Sequence, residues 1–173
     1  MLQTERLTLR EFTETDIPEL VPLIGAREVA EMTLTIPHPY EEEHAREYLS
    51  IKPKENELRM AIRRRSDGRL IGGIGLHPQM EHSRAEMGYW IGVPFWGNGY
   101  ATEAAREIMR HGFETFKLNR IFAGHFEGNA ASGAILLKLG MRYEGCARQS
   151  VLKRDKFLDV HLYAILRKEY SAS

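Results

Sequence analysis

With 173 residues and 43% hydrophobic content, the chain is long enough to bury a sizeable core and has the ordinary composition of a soluble globular protein. Lysine plus arginine balances aspartate plus glutamate at 24 each, which excludes a global electrostatic pull toward nucleic acid or an anionic membrane. A single cysteine, Cys146, excludes an internal disulfide and a cysteine-based zinc site, and no apolar run approaches the roughly 18 residues a membrane-crossing helix needs.

The opening MLQTERLTLREF is charged throughout and unlike a signal peptide, so the expected location is a reducing, cytoplasmic one. Within it RLTLREF (6–12) alternates apolar and polar positions as a half-buried strand does. TETDIPEL supplies Thr15 or Asp16 as an N-cap with Pro18 early, predicting a helix over 16–31 that breaks near Gly25. TIPHPY (35–40) reads as a two-proline loop, and EEEHAREYLS as a helix with acids in its first turn. LRMAIRRR and RLIGGIGLH read as strands joined at SDG, with the arginines 63–65 at a solvated strand end, and AEMGYWIGV as a third strand of the same meander.

From Tyr100 to Phe116 the apolar spacing turns helical, with Ala101, Ala104, Ala105, Ile108, Met109, Gly112, Phe113 and Phe116 on one side. NRIFAGHF (119–126) reads as a strand and NAASGAILLKLG as a short helix ending at Gly140. RYEGCARQSVL and FLDVHLYAIL read as two closing strands about the polar turn KRDK, with Cys146 a small buried residue of the first. No linker or repeat divides this order. The expectation is one α/β (α+β) domain over 1–173, its strands mostly antiparallel, with one strand–helix–strand crossover at 85–126.

Between the third meander strand and the long helix stands WGNGYATEAA (96–105). A helix N-terminus carries unpaired N–H groups and a partial positive charge, and Gly97 and Gly99 let an oxygen-rich ligand approach bare backbone. The run is not G-x-G-x-x-G, since Thr102 holds the sixth position, nor does it carry the Gly-Lys-Ser/Thr of a P-loop. By itself it is equally a plain strand–helix turn or an anion site.

Taken with GYW before it and NAAS and KLGM after it, GNGYATEA resembles the GNAT superfamily of N-acetyltransferases. The likeness is closer to the RimJ/RimL-type branch, which acetylates protein N-terminal amines and some small amines. It runs through TERLTLREF, IPHPY, AEMGYWIG, GNGYATEA, NAASGAILLKLGMRYEG and DVHLYAIL. The resemblance implies a mixed, mostly antiparallel sheet with flanking helices, splayed where acetyl-CoA lies. It implies that main-chain groups from Ile91 to Val93 meet the pantetheine arm, and that the amides of Gly97, Asn98, Gly99, Tyr100, Ala101 and Thr102 hold the pyrophosphate. It also makes a homodimer an expectation. The chain departs from the superfamily at Pro94, often Gln or Arg, and at Asn98, often Lys or Arg. Neutralisation in the cradle is therefore expected from amides and the helix dipole alone.

Acetyl transfer from a thioester needs a neutral, well-placed amine and a donor for the leaving thiolate. The thioester is already activated, so no metal is required, and His38, His44, His77 and His82 show no zinc spacing. Asn129 and Ser132 open a helix, where Asn is a preferred cap; the resemblance implies that the pair contacts the pantetheine and the CoA sulfur. Leu136 stands where many relatives carry a tyrosine acid, which leaves Ser132 as the candidate thiolate donor. Glu86 is the candidate base, or else a structural ion pair with a neighbouring strand. Alternation puts Glu86, Gly88 and Trp90 on one face and Met87, Tyr89 and Ile91 on the other. His38, Tyr40, His77 and Tyr89 are the candidate acceptor-site residues, with the two tyrosines as aromatic walls and the acids of EEEH as an attraction for a cationic amine. An α-amine loses its proton more readily than a lysine, so weak base machinery favours a protein N-terminus. The alternatives are a small-molecule amine as acceptor, a non-catalytic acyl-CoA-binding module, motivated by Pro94 and Leu136, and a nucleotide binder using the glycine turn.

Overall fold

The computed structural model describes residues 1–170. In chain order the strands and helices are β1 (Leu2–Gln3), β2 (Leu7–Glu11), α1 (Ile17–Ile24), α2 (Arg27–Met32), α3 (Glu42–Ser50), β3 (Leu58–Arg64), β4 (Leu70–Gln79), β5 (Arg84–Ile91), α4 (Tyr100–Glu114), β6 (Arg120–Phe126), α5 (Ala130–Lys138), β7 (Arg142–Lys153), β8 (Lys156–Leu166) and α6 (Arg167–Tyr170). The strands make one eight-stranded sheet in the order β1-β2-β3-β4-β5-β6-β8-β7. Every pairing is antiparallel except β5 with β6, which the crossover helix α4 makes parallel.

The two faces of the sheet bury two apolar clusters. One gathers Met60, Ile62, Ile74, Leu76, Ala85 and Met87 under the inward stripe of α4, where Ala104, Ala105, Ile108 and Phe113 are almost wholly buried. Gly112 is what lets α4 come this close: a Cβ there would lie 2.9 Å from Ile121 Cδ1 and 3.1 Å from Leu76 Cδ2. The other face takes Ala61 and Leu70 against Ile17, Leu20 and Ile24 of α1, Val29 of α2 and Ala45 of α3. The helix expected over 16–31 is therefore two helices, parted at Gly25 as the sequence suggests.

Asp16 does more than begin a helix. Its side chain is fully buried and turns back to accept from the Thr13 amide at 2.8 Å, from Nη2 and Nη1 of Arg10 at 2.6 and 2.7 Å, and from Arg63 at 2.5 Å. This corrects the picture of residues 63–65 as a solvated strand end. Arg63 is drawn inward to Asp16 and Glu19, while Arg64 pairs with Asp67 and Arg65 donates to the carbonyls of Thr4 and Glu5. Cys146 is also corrected: it is exposed on β7 beside Asp159, and partial desolvation and that carboxylate push its thiol up, away from thiolate reactivity.

The feature that matters for function is a gap. β5 and β6 are in register only over Arg84↔Arg120, Ala85↔Ile121 and Glu86↔Phe122. Beyond Glu86 they part, although β5 stays paired with β4 to Ile91 and β6 with β8 to Phe126. The sheet is thus splayed into a wedge between residues 87–91 and 123–126, lined on both sides by strands held firmly from behind.

Candidate active site

At the end of β5 the chain makes a 3-10 turn over Val93–Phe95, and this turn is knitted from within. The Trp96 indole donates to the Ile91 carbonyl at 2.6 Å, and the Asn98 side-chain amide donates to the carbonyls of Phe95 and Trp96 at 3.1 and 2.9 Å. The carbonyls of Gly92 and Val93 are taken by the amides of Phe95 and Trp96. Much of the main chain expected to be offered at Ile91–Val93, and the whole Asn98 side-chain donor, is therefore spent on shaping the turn. Gly97 and Gly99 sit at φ of 76° and 78°, a left-handed conformation in which a side chain is strained. Nothing stands within 4 Å of a Cβ built at Gly97.

From Gly97 to Thr102 no backbone amide has an acceptor among the described residues. They crown the N-terminus of α4, a 15-residue helix whose dipole adds to their field. Such a crown suits an anion of several oxygens. A cation absent from the sequence reading also stands at the turn: Arg6 donates to the Asn98 carbonyl at 3.1 Å and is paired with Glu103.

Facing the wedge from the α4 side, Tyr89 and Ser132 meet. Their hydroxyls lie 2.9 Å apart, joining β5 to the first turn of α5. Burial pushes the Tyr89 phenol up despite the Ser132 contact, so it stays protonated at neutral pH. Asn129 serves as the N-cap of α5, its Oδ1 accepting from the Ser132 amide at 3.2 Å, with its side-chain NH2 lacking an acceptor among the described residues. Leu136 is wholly buried in the core, so a tyrosine at that position is replaced by packing.

The opposite face carries the other candidates. Glu86 is exposed, opposite His77 in the β4–β5 register, and its carboxylate has no hydrogen bond or ion pair among the described residues. The ion pair with a neighbouring strand weighed as its structural role is thus not formed. His77 Nδ1 lies 2.8 Å from Glu57 Oε1. Burial pushes the Glu57 carboxyl up, but hydrogen bonds from Arg59, the Lys54 amide and His77 outweigh it and hold Glu57 at about 2. Gly88, between Glu86 and Trp90, leaves open space where a Cβ would stand. His38 is anchored through Nδ1 to the Gly25 carbonyl at 3.1 Å, which ties the loop after α2 to the end of α1.

Tyr40 packs against the α1–α3 cluster and Tyr89 against the α4 cluster, so the two tyrosines do not form facing walls on one side of the sheet. In EEEH the Glu42 carboxylate is paired locally with Arg46, and the Glu41 main-chain amide donates to His44 Nδ1 at 3.0 Å. Lys153, which the sequence did not single out, donates to the carbonyls of Ala30, Glu31 and Thr33 at 2.7, 2.7 and 2.5 Å. It thereby straps the β7–β8 hairpin to the end of α2, and its ammonium sits 5.2 Å from the Phe126 ring centre at the end of β6.

A sheet splayed beside an uncapped, glycine-turned helix N-terminus, with hydroxyls on one face and carboxylates on the other, has the layout of an acyl-group transferase. Residues 6–142 match the family described as Acetyltransferase (GNAT) domain, and the chain belongs to that family: it is an N-acetyltransferase. It is 32% identical over 172 residues, 96% of this chain and 97% of the other, to the uncharacterized N-acetyltransferase YoaA of Bacillus subtilis. It is 31% identical to the ribosomal-protein-serine acetyltransferase of Escherichia coli over 96 residues, 55% of this chain and 54% of that one. Among solved structures, a GNAT-family acetyltransferase from Bacillus anthracis superposes with a TM-score of 0.85 at 25% identity, covering 96% of this chain and 98% of that one. No helix among the described residues is long and apolar enough to cross a membrane, and no cluster of three or more His, Cys, Asp or Glu there is placed to hold a metal ion.

Proposed function

We propose that the chain transfers the acetyl group of acetyl-CoA to the α-amine of a protein or peptide N-terminus, by direct attack within a ternary complex, as a member of the RimJ/RimL-type branch. The observation that carries the reading is the coincidence of the β5–β6 wedge with the unpaired amides of residues 97–102 at its mouth. The amides and the α4 dipole receive the pyrophosphate. The pantetheine arm runs along the freed edge of β5 past Asn129, which brings the thioester between the two faces of the sheet.

In the transfer step the neutral amine forms a bond to the thioester carbonyl carbon and the carbon–sulfur bond breaks. The surplus amine proton leaves toward Glu86, through water, on the face that bears His77. The departing thiolate accepts a hydrogen bond from Ser132, whose hydroxyl is partnered by Tyr89, on the other face, and takes its proton from solvent water. The base and the hydrogen-bond donor to the leaving sulfur thus approach the reacting carbon from opposite sides. His38, Tyr40 and His77 border the acceptor's path, and the bare floor at Gly88 admits a peptide backbone. The likeness to the E. coli ribosomal-protein-serine acetyltransferase supports a protein acceptor.

A second reading, a small cationic amine, is favoured by one feature: Glu57, held ionised, and the unpartnered Glu86 flank His77 on the acceptor face. Free-thiol release from acetyl-CoA, measured side by side with N-terminal peptides and with di- and polyamines, separates the two. Faster release with peptides supports the proposal; release with amines alone replaces it with the second reading.

A further inference from the structure

The N-terminal run TERL has no part in the chemistry outlined above, yet its side chains reach the glycine turn. Thr4 Oγ1 donates to Glu103 Oε1 at 2.5 Å and receives the Leu7 amide at 3.0 Å, which fixes the link between β1 and β2. The Arg6 amide donates to the same Glu103 oxygen at 2.8 Å, and the Arg6 side chain grips the other oxygen through Nε at 2.7 Å and Nη2 at 2.6 Å. The guanidinium also lies over the Tyr100 ring, 4.8 Å from its centre. Glu103 is in the first turn of α4, so this fork bolts the start of β2 to the start of α4. Burial pushes the Glu103 carboxyl up, but the bonds from Thr4 and from the Arg6 amide and side chain prevail and keep it ionised.

One donor of the fork is not spent on Glu103. Arg6 Nη1 points to the Asn98 carbonyl at 3.1 Å. Because the peptide unit is planar and trans, the Asn98 carbonyl and the Gly99 N–H point in opposite directions. Holding the carbonyl toward Arg6 therefore turns the Gly99 N–H the other way, away from the β2 side. Gly99, at φ 78° and without a side chain, has little local preference of its own that would fix this peptide plane. An arginine grips a carboxylate and a carbonyl at once in the fixed plane of its fork; a lysine, a flexible point charge, sets no such plane.

We propose that Arg6, locked by Glu103, Thr4 and Tyr100, is a positioning residue that sets the Asn98–Gly99 peptide plane and so aims the Gly99 amide at the pyrophosphate of the acetyl donor. This rests on the reading of residues 97–102 as the pyrophosphate cradle. The test compares two donors, acetyl-CoA and S-acetylpantetheine, which lacks the pyrophosphate, in the wild-type protein and in Arg6→Met, Arg6→Lys and Glu103→Gln, with one acceptor throughout. In Arg6→Met, kcat/KM with acetyl-CoA falls roughly ten- to a hundredfold, the share of one charge-assisted hydrogen bond, while kcat/KM with S-acetylpantetheine stays within about twofold. Arg6→Lys recovers only part of the loss, and Glu103→Gln, which frees the fork without removing it, shows a smaller loss of the same donor-specific kind. Equal losses on both donors would reduce Arg6 to a structural tie, and no loss on either would remove it from the site; both outcomes overturn the inference. A wild-type protein that uses the two donors equally well overturns the cradle reading itself, and this inference with it.

Discussion

Removing the Ser132 hydroxyl probes the leaving-group half of the reaction. Ser132→Ala deletes the one side-chain oxygen that α5 brings to Tyr89, at 2.9 Å, and leaves the phenol without that partner. A thiolate is a better leaving group than an alkoxide, with a parent thiol pKa of about 8.5, so the donor's share is that of one charge-assisted hydrogen bond, about 1.5–3 kcal/mol. At about 1.4 kcal/mol per decade, kcat should fall roughly ten- to a hundredfold, with KM for acetyl-CoA changed by less than about twofold. Tyr89→Phe should cost less, about three- to tenfold, because Tyr89 acts by orienting Ser132. In the double variant the loss should match that of Ser132→Ala alone, since the tyrosine's effect passes through the hydroxyl already removed. The assay is free-thiol release at saturating acetyl-CoA. Thermal melts serve as the control: one lost hydrogen bond of about 1 kcal/mol lowers Tm by only about 2–4 °C. A wild-type rate in Ser132→Ala, or losses that simply multiply in the double variant, would remove Ser132 from the leaving-group step.

Other perturbations address the remaining parts. Gly99→Val places a branched side chain at φ 78° on the crown of amides; CoA binding by calorimetry should disappear, and unchanged affinity would move the anion elsewhere. Glu86→Gln should lower kcat/KM by roughly tenfold or more and flatten its acid-side rise with pH; an unmoved limb makes bulk water the base. Glu57, held at about 2 against an ordinary 4.5, contributes stability that is fully present above about pH 4.5 and is lost as pH falls toward 2. Urea unfolding across that window should therefore show a slope that Glu57→Gln reduces, and identical slopes in the two proteins would contradict the pairing with Arg59 and His77.

Periodicity and turn residues are local signals, and where the fold depends on them the sequence was legible. The α4 stripe, the β3–β5 meander, the break at Gly25, the crossover and the glycine turn all follow from residues a few positions apart. β1 escaped notice because two residues carry no alternation. What went unread lies in side chains that meet across long sequence separations. Asp16 as a buried anchor depends on Arg63 arriving from β3, and Arg6 reaches Glu103 across most of the domain. A tyrosine placed by strand alternation on one face was matched with Tyr40, and only the packing shows that its neighbour is Ser132. Asn98 illustrates the limit well: nothing in GNG says whether the side chain faces a ligand or, as here, folds back to close its own turn. Cys146 is exposed because β7 is an edge strand of the sheet with no buried position, a placement set by pairing across the whole fold.

The proposed transfer depends on the amides of residues 97–102 receiving the donor's pyrophosphate at the mouth of the β5–β6 wedge. An amide-resolved NMR titration with CoA, repeated with pantetheine, tests that most directly. Gly97, Gly99 and their neighbours up to Thr102 should shift strongly with CoA and little with pantetheine, while both ligands move Tyr89 and Ser132. Shifts with CoA that leave residues 97–102 unmoved would contradict this placement of the pyrophosphate.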